Sequence, residues 1–200
     1  MDCFKVNLLN MRKNNDAETG RFFLFCVFLV IWFAVFSIVN SYNFMYVEVS
    51  GPSMQNTLAN GDVLIVNKQI TPDYGNIVII SGEKPNGDLI IKRIIGKGGD
   101  QIKISGGEVY RNGVKLNEQY VKGKTYCESN NPQTKVYEVP DGEFFYLGDN
   151  RENSSDSRSY FGTCKINQIQ GVVPDIALKI RPLTQFRIQF SQKLSSLLGG

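Results

Sequence analysis

The feature that most constrains this chain is an uncharged apolar run from Phe22 to Val39, FFLFCVFLVIWFAVFSIV, whose only hydroxyl is Ser37. Coiled as a helix at about 1.5 Å per residue, it spans most of a hydrocarbon layer roughly 30 Å thick and satisfies its own backbone polar groups there. A core helix of a soluble domain would carry polar residues on its outer face, and this run has none. A cleaved signal peptide would have a shorter apolar region ending in a small-residue site, which Asn40-Ser41-Tyr42-Asn43 does not resemble. The run therefore reads as an uncleaved anchor. Lys5, Arg12, Lys13 and Arg21 precede it, and no Lys or Arg occurs between Phe22 and Asn67. The positive-inside rule then leaves the N-terminus in the cytoplasm and everything after about residue 43 across the cytoplasmic membrane.

The sequence after the anchor predicts a mainly β domain. Short apolar or alternating runs recur at residues 46–49, 62–66, 76–80, 88–95, 101–104, 108–111, 114–116, 135–139 and 144–147, separated by Gly, Pro, Asn or Asp. Asn112-Gly113 lies between two of them as a two-residue hairpin signal. The tail from Phe186 to Leu198 has apolar residues near helical spacing, and its Arg187 and Lys193 favour an interfacial helix over a second span. The expected layout is a cytoplasmic segment 1–21, an anchor 22–42, an extracytoplasmic domain 43–185 with a small insertion at about 100–140, and a tail 186–200. Of the cysteines, only Cys127 and Cys164 can meet in an oxidising compartment, as a disulfide or as two buried thiols.

The chain contains no histidine, which removes every Ser-His-Asp triad, Cys-His pair and His-ligated zinc site. Acid-base chemistry has to use another group. Lys and Arg number 22 against 19 Asp and Glu, a net charge of +3 that gives no reason to expect a nucleic-acid partner. Lys92 stands out, because it and Arg93 interrupt an aliphatic run, Leu89-Ile90-Ile91 before them and Ile94-Ile95 after. On a strand the two cations point to opposite faces, so at least one risks burial unless both snorkel at a sheet edge. Desolvation lowers a lysine pKa by disfavouring the ammonium form, and a neutral amine can take the proton of a serine nucleophile. Ser53 sits in a Gly-Pro turn, where a serine is ordinarily only a turn residue.

Four segments taken together resemble the type I signal peptidase family. Ser53-Met54-Gln55-Asn56-Thr57-Leu58 is similar to its Ser-Met-x-Pro-Thr-Leu, and Gly61 to Val66 follows in order. Lys92, Arg93, Gly96, Gly99 and Asp100 match its Lys-Arg-x-x-Gly-x-x-Gly-Asp, and residues 148–158 match Gly-Asp-Asn-x-x-x-Ser-x-Asp-Ser-Arg throughout. The resemblance, strongest to the single-span Gram-positive form, implies an antiparallel β protease domain on an N-terminal transmembrane helix. Its activity would be removal of signal peptides from secreted preproteins through a Ser-Lys dyad and an acyl-enzyme, with no metal or cofactor. It implies Ser53 as nucleophile and Lys92 as general base, with Ser154 orienting the Lys92 amine. Asp156 and Arg158 would form a supporting ion pair, Asp149 and Asn150 would belong to the same scaffold, and the Ser53 N–H would be one oxyanion donor. Met54, Leu58, Ile90 and Ile91 would line a shallow pocket for the small residue before the cleaved bond. The implied partners are signal peptides with small residues before that bond, and membrane lipid.

Two positions depart from the pattern. Asn56 stands where the family usually has Pro, which removes a turn constraint for an expected modest effect, and Gly51 leaves the second oxyanion donor without a candidate. The alternatives are a maturation protease of the same fold devoted to one substrate, and a non-catalytic anchored β-domain.

Overall fold

The computed structural model describes residues 2–82, 89–127, 134–159 and 162–179. It divides into two units, Met1–Asn43 and Phe44–Gly200. The first is a single helix, α1 (Asp2–Asn43). Within it, Thr19–Asn43 is long and apolar enough to cross a membrane, and its Phe, Leu, Ile, Val and Trp side chains lie open on every side. A helix that is apolar all round suits a lipid surrounding. The polar residues at its end are satisfied internally, since Asn40 Nδ2 and Asn43 Nδ2 donate to the carbonyls of Phe36 and Val39, each at 2.9 Å.

The second unit is built from antiparallel strands: β1 (Phe44–Glu48), β2 (Val63–Asn67), β3 (Ile77–Ser81), β4 (Leu89–Lys97), β5 (Gln101–Ser105), β6 (Glu108–Arg111), β7 (Val114–Lys115), β8 (Lys135–Glu138), β9 (Glu143–Leu147), β10 (Cys164–Lys165) and β11 (Ile169–Val173). They form a seven-stranded sheet in the order β1-β2-β11-β3-β4-β9-β10 and a four-stranded sheet in the order β7-β6-β5-β8. The small sheet is built from strands between Gln101 and Glu138. Its hairpin turns at Asn112 (φ 51°) and Gly113 (φ 81°), the double positive φ that a two-residue turn needs to match strand twist.

The strand pattern shows why these segments pair. In β3 alternate residues serve opposite faces of the large sheet. Ile77 and Ile79 pack with Val49, Met54, Leu58, Leu64 and Val66, while Val78 and Ile80 pack with Ile94, Tyr146 and Val172. A third cluster joins the two sheets, setting Ile102, Ile104 and Val109 against Ile95, Phe145 and Leu147. Cys127 lies in this third cluster and Cys164 in the second, so the open question about them resolves to separate buried cysteines that are not joined in a disulfide.

Strands β10 and β11 depart from the sequence expectation. In β11, IQGVV, Gly171 interrupts the apolar pattern, yet the strand requires it: a Cβ there would lie 2.8 Å from both the Asn67 carbonyl oxygen and Val66 Cγ1. After β11, residues 175–179 are helical. The tail 186–200 lies outside the described residues.

Candidate active site

Strand β4 carries both cations of the aliphatic run into the interior. Lys92 is 4% exposed and Arg93 8%, so neither snorkels to a sheet edge. Val78 on β3 is opposite Lys92 and Ile77 is opposite Arg93, which sends the two side chains to different faces as the strand period requires.

Lys92 Nζ lies 2.8 Å from Ser53 Oγ in hydrogen-bonding contact. Burial is the dominant influence on the lysine and lowers its pKa to about 8; Arg158 pushes the same way, while Asp156 and Asp149 oppose it. The carboxylates that act on Lys92 thus come from the distant 148–158 segment, not from its own strand. Near pH 8 a large share of the side chain is neutral, and an amine can accept a proton from Ser53 through the same contact.

Ser53 sits at the head of a hydrogen-bonded turn. The N–H of Gln55 donates to Pro52 O at 3.0 Å, and those of Thr57 and Leu58 donate to Met54 O at 3.1 and 2.8 Å. Met54 and Leu58 anchor the turn in the core at 1% and 2% exposure. The 148–158 segment then grips it from the other side. Asn150 N–H donates to Ser53 O at 2.9 Å, and Asn150 Nδ2 donates to Pro52 O at 3.1 Å.

Asp149 meets Arg93 in a buried two-point ion pair, with Nε and Nη2 donating at 2.8 and 2.7 Å. It also accepts from the Thr57 hydroxyl. Asp156 and Arg158 form a second such pair, at 2.7 and 2.9 Å, and Asp156 accepts the Gly148 N–H at 3.0 Å. Gly148 has to be glycine, because a Cβ there would collide with Ser154 Oγ and come within 2.6 Å of the Ser53 carbonyl.

Ser154 differs from expectation. Its hydroxyl is buried beside Gly148, but it has no hydrogen-bond partner among the described residues, and Lys92 bonds to Ser53 instead. The pocket also differs in part. A cleft of about 460 Å³ opens at Ser53 and Lys92, and Met54, Ile90 and Ile91 line it, while Leu58 sits behind them in the core. Val47, Val49 and Leu89 line it as well, a contribution the sequence reading missed although all three lie in the predicted strands.

Residues 21–176 match the family described as signal peptidase, peptidase S26. This chain belongs to that family. Among curated members, Signal peptidase I of Bacillus caldolyticus is 35% identical, with 80% of this chain and 93% of that protein covered. Signal peptidase I P of Bacillus subtilis subsp. natto is 34% identical, over 80% and 88% of the two chains. Signal peptidase IB of Staphylococcus aureus is 30% identical over 82% and 91%. A crystal structure of a signal peptidase I from Enterococcus faecalis aligns with a TM-score of 0.42 at 30% identity, covering 52% of this chain and 98% of that one.

Ser53, Lys92 and the 148–158 segment were singled out in the sequence, but other contacts at the site belong to residues that sequence reasoning passed over. Arg151 is 2% exposed. It donates to Gly148 O at 3.0 Å and pairs with Glu118 at 2.6 and 3.0 Å. A charged residue in a polar loop carries no periodic signal of burial. The adjacency of Arg93 to Lys92 was the available clue to its interior position.

Proposed function

We propose that the chain is a membrane-bound serine endopeptidase that removes N-terminal signal peptides from secreted preproteins by way of a Ser53-Lys92 dyad and an acyl-enzyme. The observation that carries this reading is the 2.8 Å contact between Ser53 Oγ and a lysine amine whose pKa burial lowers to about 8.

In the proposed reaction the neutral Lys92 amine takes the Ser53 proton as Oγ attacks the scissile carbonyl, and the Ser53 N–H receives the developing oxyanion. The Lys92 ammonium then returns a proton to the departing amine as the peptide C–N bond breaks, leaving an ester on Ser53. Lys92 next deprotonates a water that attacks the ester carbon, and it finally restores the Ser53 hydroxyl. Ser154, whose hydroxyl is buried without a partner among the described residues, stays in this reading as the residue that would orient the amine.

Substrate geometry follows from the strands. β1 is an edge strand of the large sheet, and β4 pairs with β9 only from Arg93 onward, so Leu89 to Lys92 pair with β3 alone. Both segments line the cleft. They offer free backbone groups to an extended peptide, and the apolar floor suits a small side chain beside the cleaved bond.

Detergent-solubilised protein is expected to cleave a peptide with Ala at the first and third positions before the bond. It is also expected to process several unrelated preproteins, where an enzyme devoted to one substrate would process one. No cleavage of any of them would favour the non-catalytic anchored domain.

The layout that goes with this function has residues 1–21 in the cytoplasm, 22–42 in the membrane and the domain from 43 outside. The charge asymmetry around the span supports it. Protease added to intact spheroplasts is expected to digest the domain, and a domain that stays protected until lysis would reverse the orientation.

A further inference from the structure

The nucleophile turn is covered by residues 117–123, which follow β7 and reach it at several points. Asn56 Nδ2 donates to Tyr120 O at 3.1 Å. The Tyr120 ring covers the Arg93 guanidinium, whose carbon lies 3.9 Å from the ring centroid. Lys122 Nζ donates to Gln55 Oε1 at 3.0 Å, and the Lys122 N–H donates to Asp149 O at 2.8 Å. The segment is itself fastened by the Glu118–Arg151 pair, with Tyr120 Oη donating to Glu118 Oε1 at 2.9 Å.

The turn beneath needs an external hold. Asn56 has φ of 92° in the Met54–Thr57 turn, a conformation that Asn tolerates and Pro, fixed near −65°, cannot adopt. The substitution therefore does more than remove a constraint, because this turn closes in a form that a proline ring cannot hold. Its two ends meet adjacent residues of β4: Ser53 reaches Lys92, and Thr57 reaches Arg93 directly at 3.4 Å and through Asp149. Tyr120 touches both the middle of the turn and the Arg93 end.

We infer that Asn56 and Tyr120 are positioning residues that hold the nucleophile turn against β4. The inference rests on the Ser-Lys reading. Neither residue touches the reacting atoms; each acts by keeping Ser53 Oγ within reach of Lys92.

The test uses full-length detergent-solubilised protein and the Ala-containing peptide. Asn56→Gly keeps the positive φ and removes the donor, Tyr120→Leu removes the ring, and Tyr120→Phe restores it. In Asn56→Gly and Tyr120→Leu, kcat is expected to fall about 3- to 10-fold, the factor that one net hydrogen bond or cation–π contact is worth. KM should stay within about twofold and the melting temperature should not change enough to alter the folded fraction. Tyr120→Phe should recover most of the loss. The Asn56→Gly/Tyr120→Leu double variant should fall short of the product of the single losses, since both loosen one turn.

Full kcat in both single variants would overturn the inference, as would losses that multiply or that follow the folded fraction. Asn56→Pro should lose more than Asn56→Gly, and a gain in kcat from Asn56→Pro would likewise overturn it. If the wild-type protein does not cleave, the Ser-Lys reading falls first and the inference with it.

Discussion

Lys92→Ala is expected to lower kcat/KM by at least about a thousandfold while the domain stays folded, and Ser53→Ala should do the same. The two side chains act as one unit, so removing both should cost little more than removing either. Lys92→Arg should be as inactive as the alanine variant, because a guanidinium stays protonated and cannot accept the serine proton. The pH profile gives the assignment a second handle. With the Lys92 pKa lowered to about 8, the ammonium predominates below that value and kcat/KM should fall about tenfold per pH unit there. Above it the amine is neutral and the profile should level off. The chain has no histidine to supply such a limb, and burial pushes the Cys164 thiol up to about 12.

Charges around Lys92 should move the limb in opposite directions. Asp156→Asn removes a carboxylate that favours the ammonium and leaves Arg158 unopposed, so the limb should shift to lower pH. Arg158→Gln removes the opposing cation and should shift it to higher pH. Activity still climbing past pH 10 would sink the role of Lys92 as a desolvated base, and most of the activity surviving in Lys92→Ala would sink the dyad itself.

Asp149→Ala is expected to be the most damaging change to stability near the site. It leaves Arg93, 8% exposed, without its carboxylate, and it removes the acceptor of the Thr57 hydroxyl. Breaking a buried pair from one side costs about 3–5 kcal/mol, a large part of the roughly 5–15 kcal/mol that holds a typical domain together. For a domain of this size the melting temperature should fall by about 6–20 °C. A thermal melt of the solubilised protein checks this, and a fall of under about 3 °C would mean that Arg93 finds another partner. Replacing the whole pair, as Arg93→Met with Asp149→Leu, should recover much of the stability, because the main cost is an uncompensated charge. That double variant should regain less activity than stability, since Arg93 also supports the turn at Thr57.

The proposed Ser53-Lys92 pair stood out in the sequence because such chemistry leaves marks in one dimension: a lysine amid Leu89-Ile90-Ile91 and Ile94-Ile95, a serine in a Gly-Pro turn, and no histidine to compete. Most strands were legible for a similar reason, since alternating or continuous apolar residues bounded by turn formers leave little else to build. What escaped depends on contacts between distant residues. Gly171 weakens the apolar pattern of β11, and its purpose appears only when Asn67 and Val66 stand against it. Arg151 and Glu118 meet across 33 positions of sequence, and the hold of Tyr120 on Asn56 across 64. Neither distance leaves a local period. Ser154 was legible as a residue of the 148–158 segment, but its hydrogen bonding was not, because a hydroxyl's partner depends on which neighbours close around it.

The position of β11 sets an order of events for the growing polypeptide. This strand is the last in the described sequence, yet it lies between β2 and β3 near the middle of the large sheet. A nascent chain emerging from its N-terminal end therefore displays the serine turn and the lysine strand well before the sheet that supports them can close. Until Val172 and Val173 arrive, the facing sides of β2 and β3 lack their ladder partner, and the clusters around Val66 and Val78 lack a wall. Residues 53 and 92 are thus brought together late in synthesis, in an order gated by the topology of the sheet.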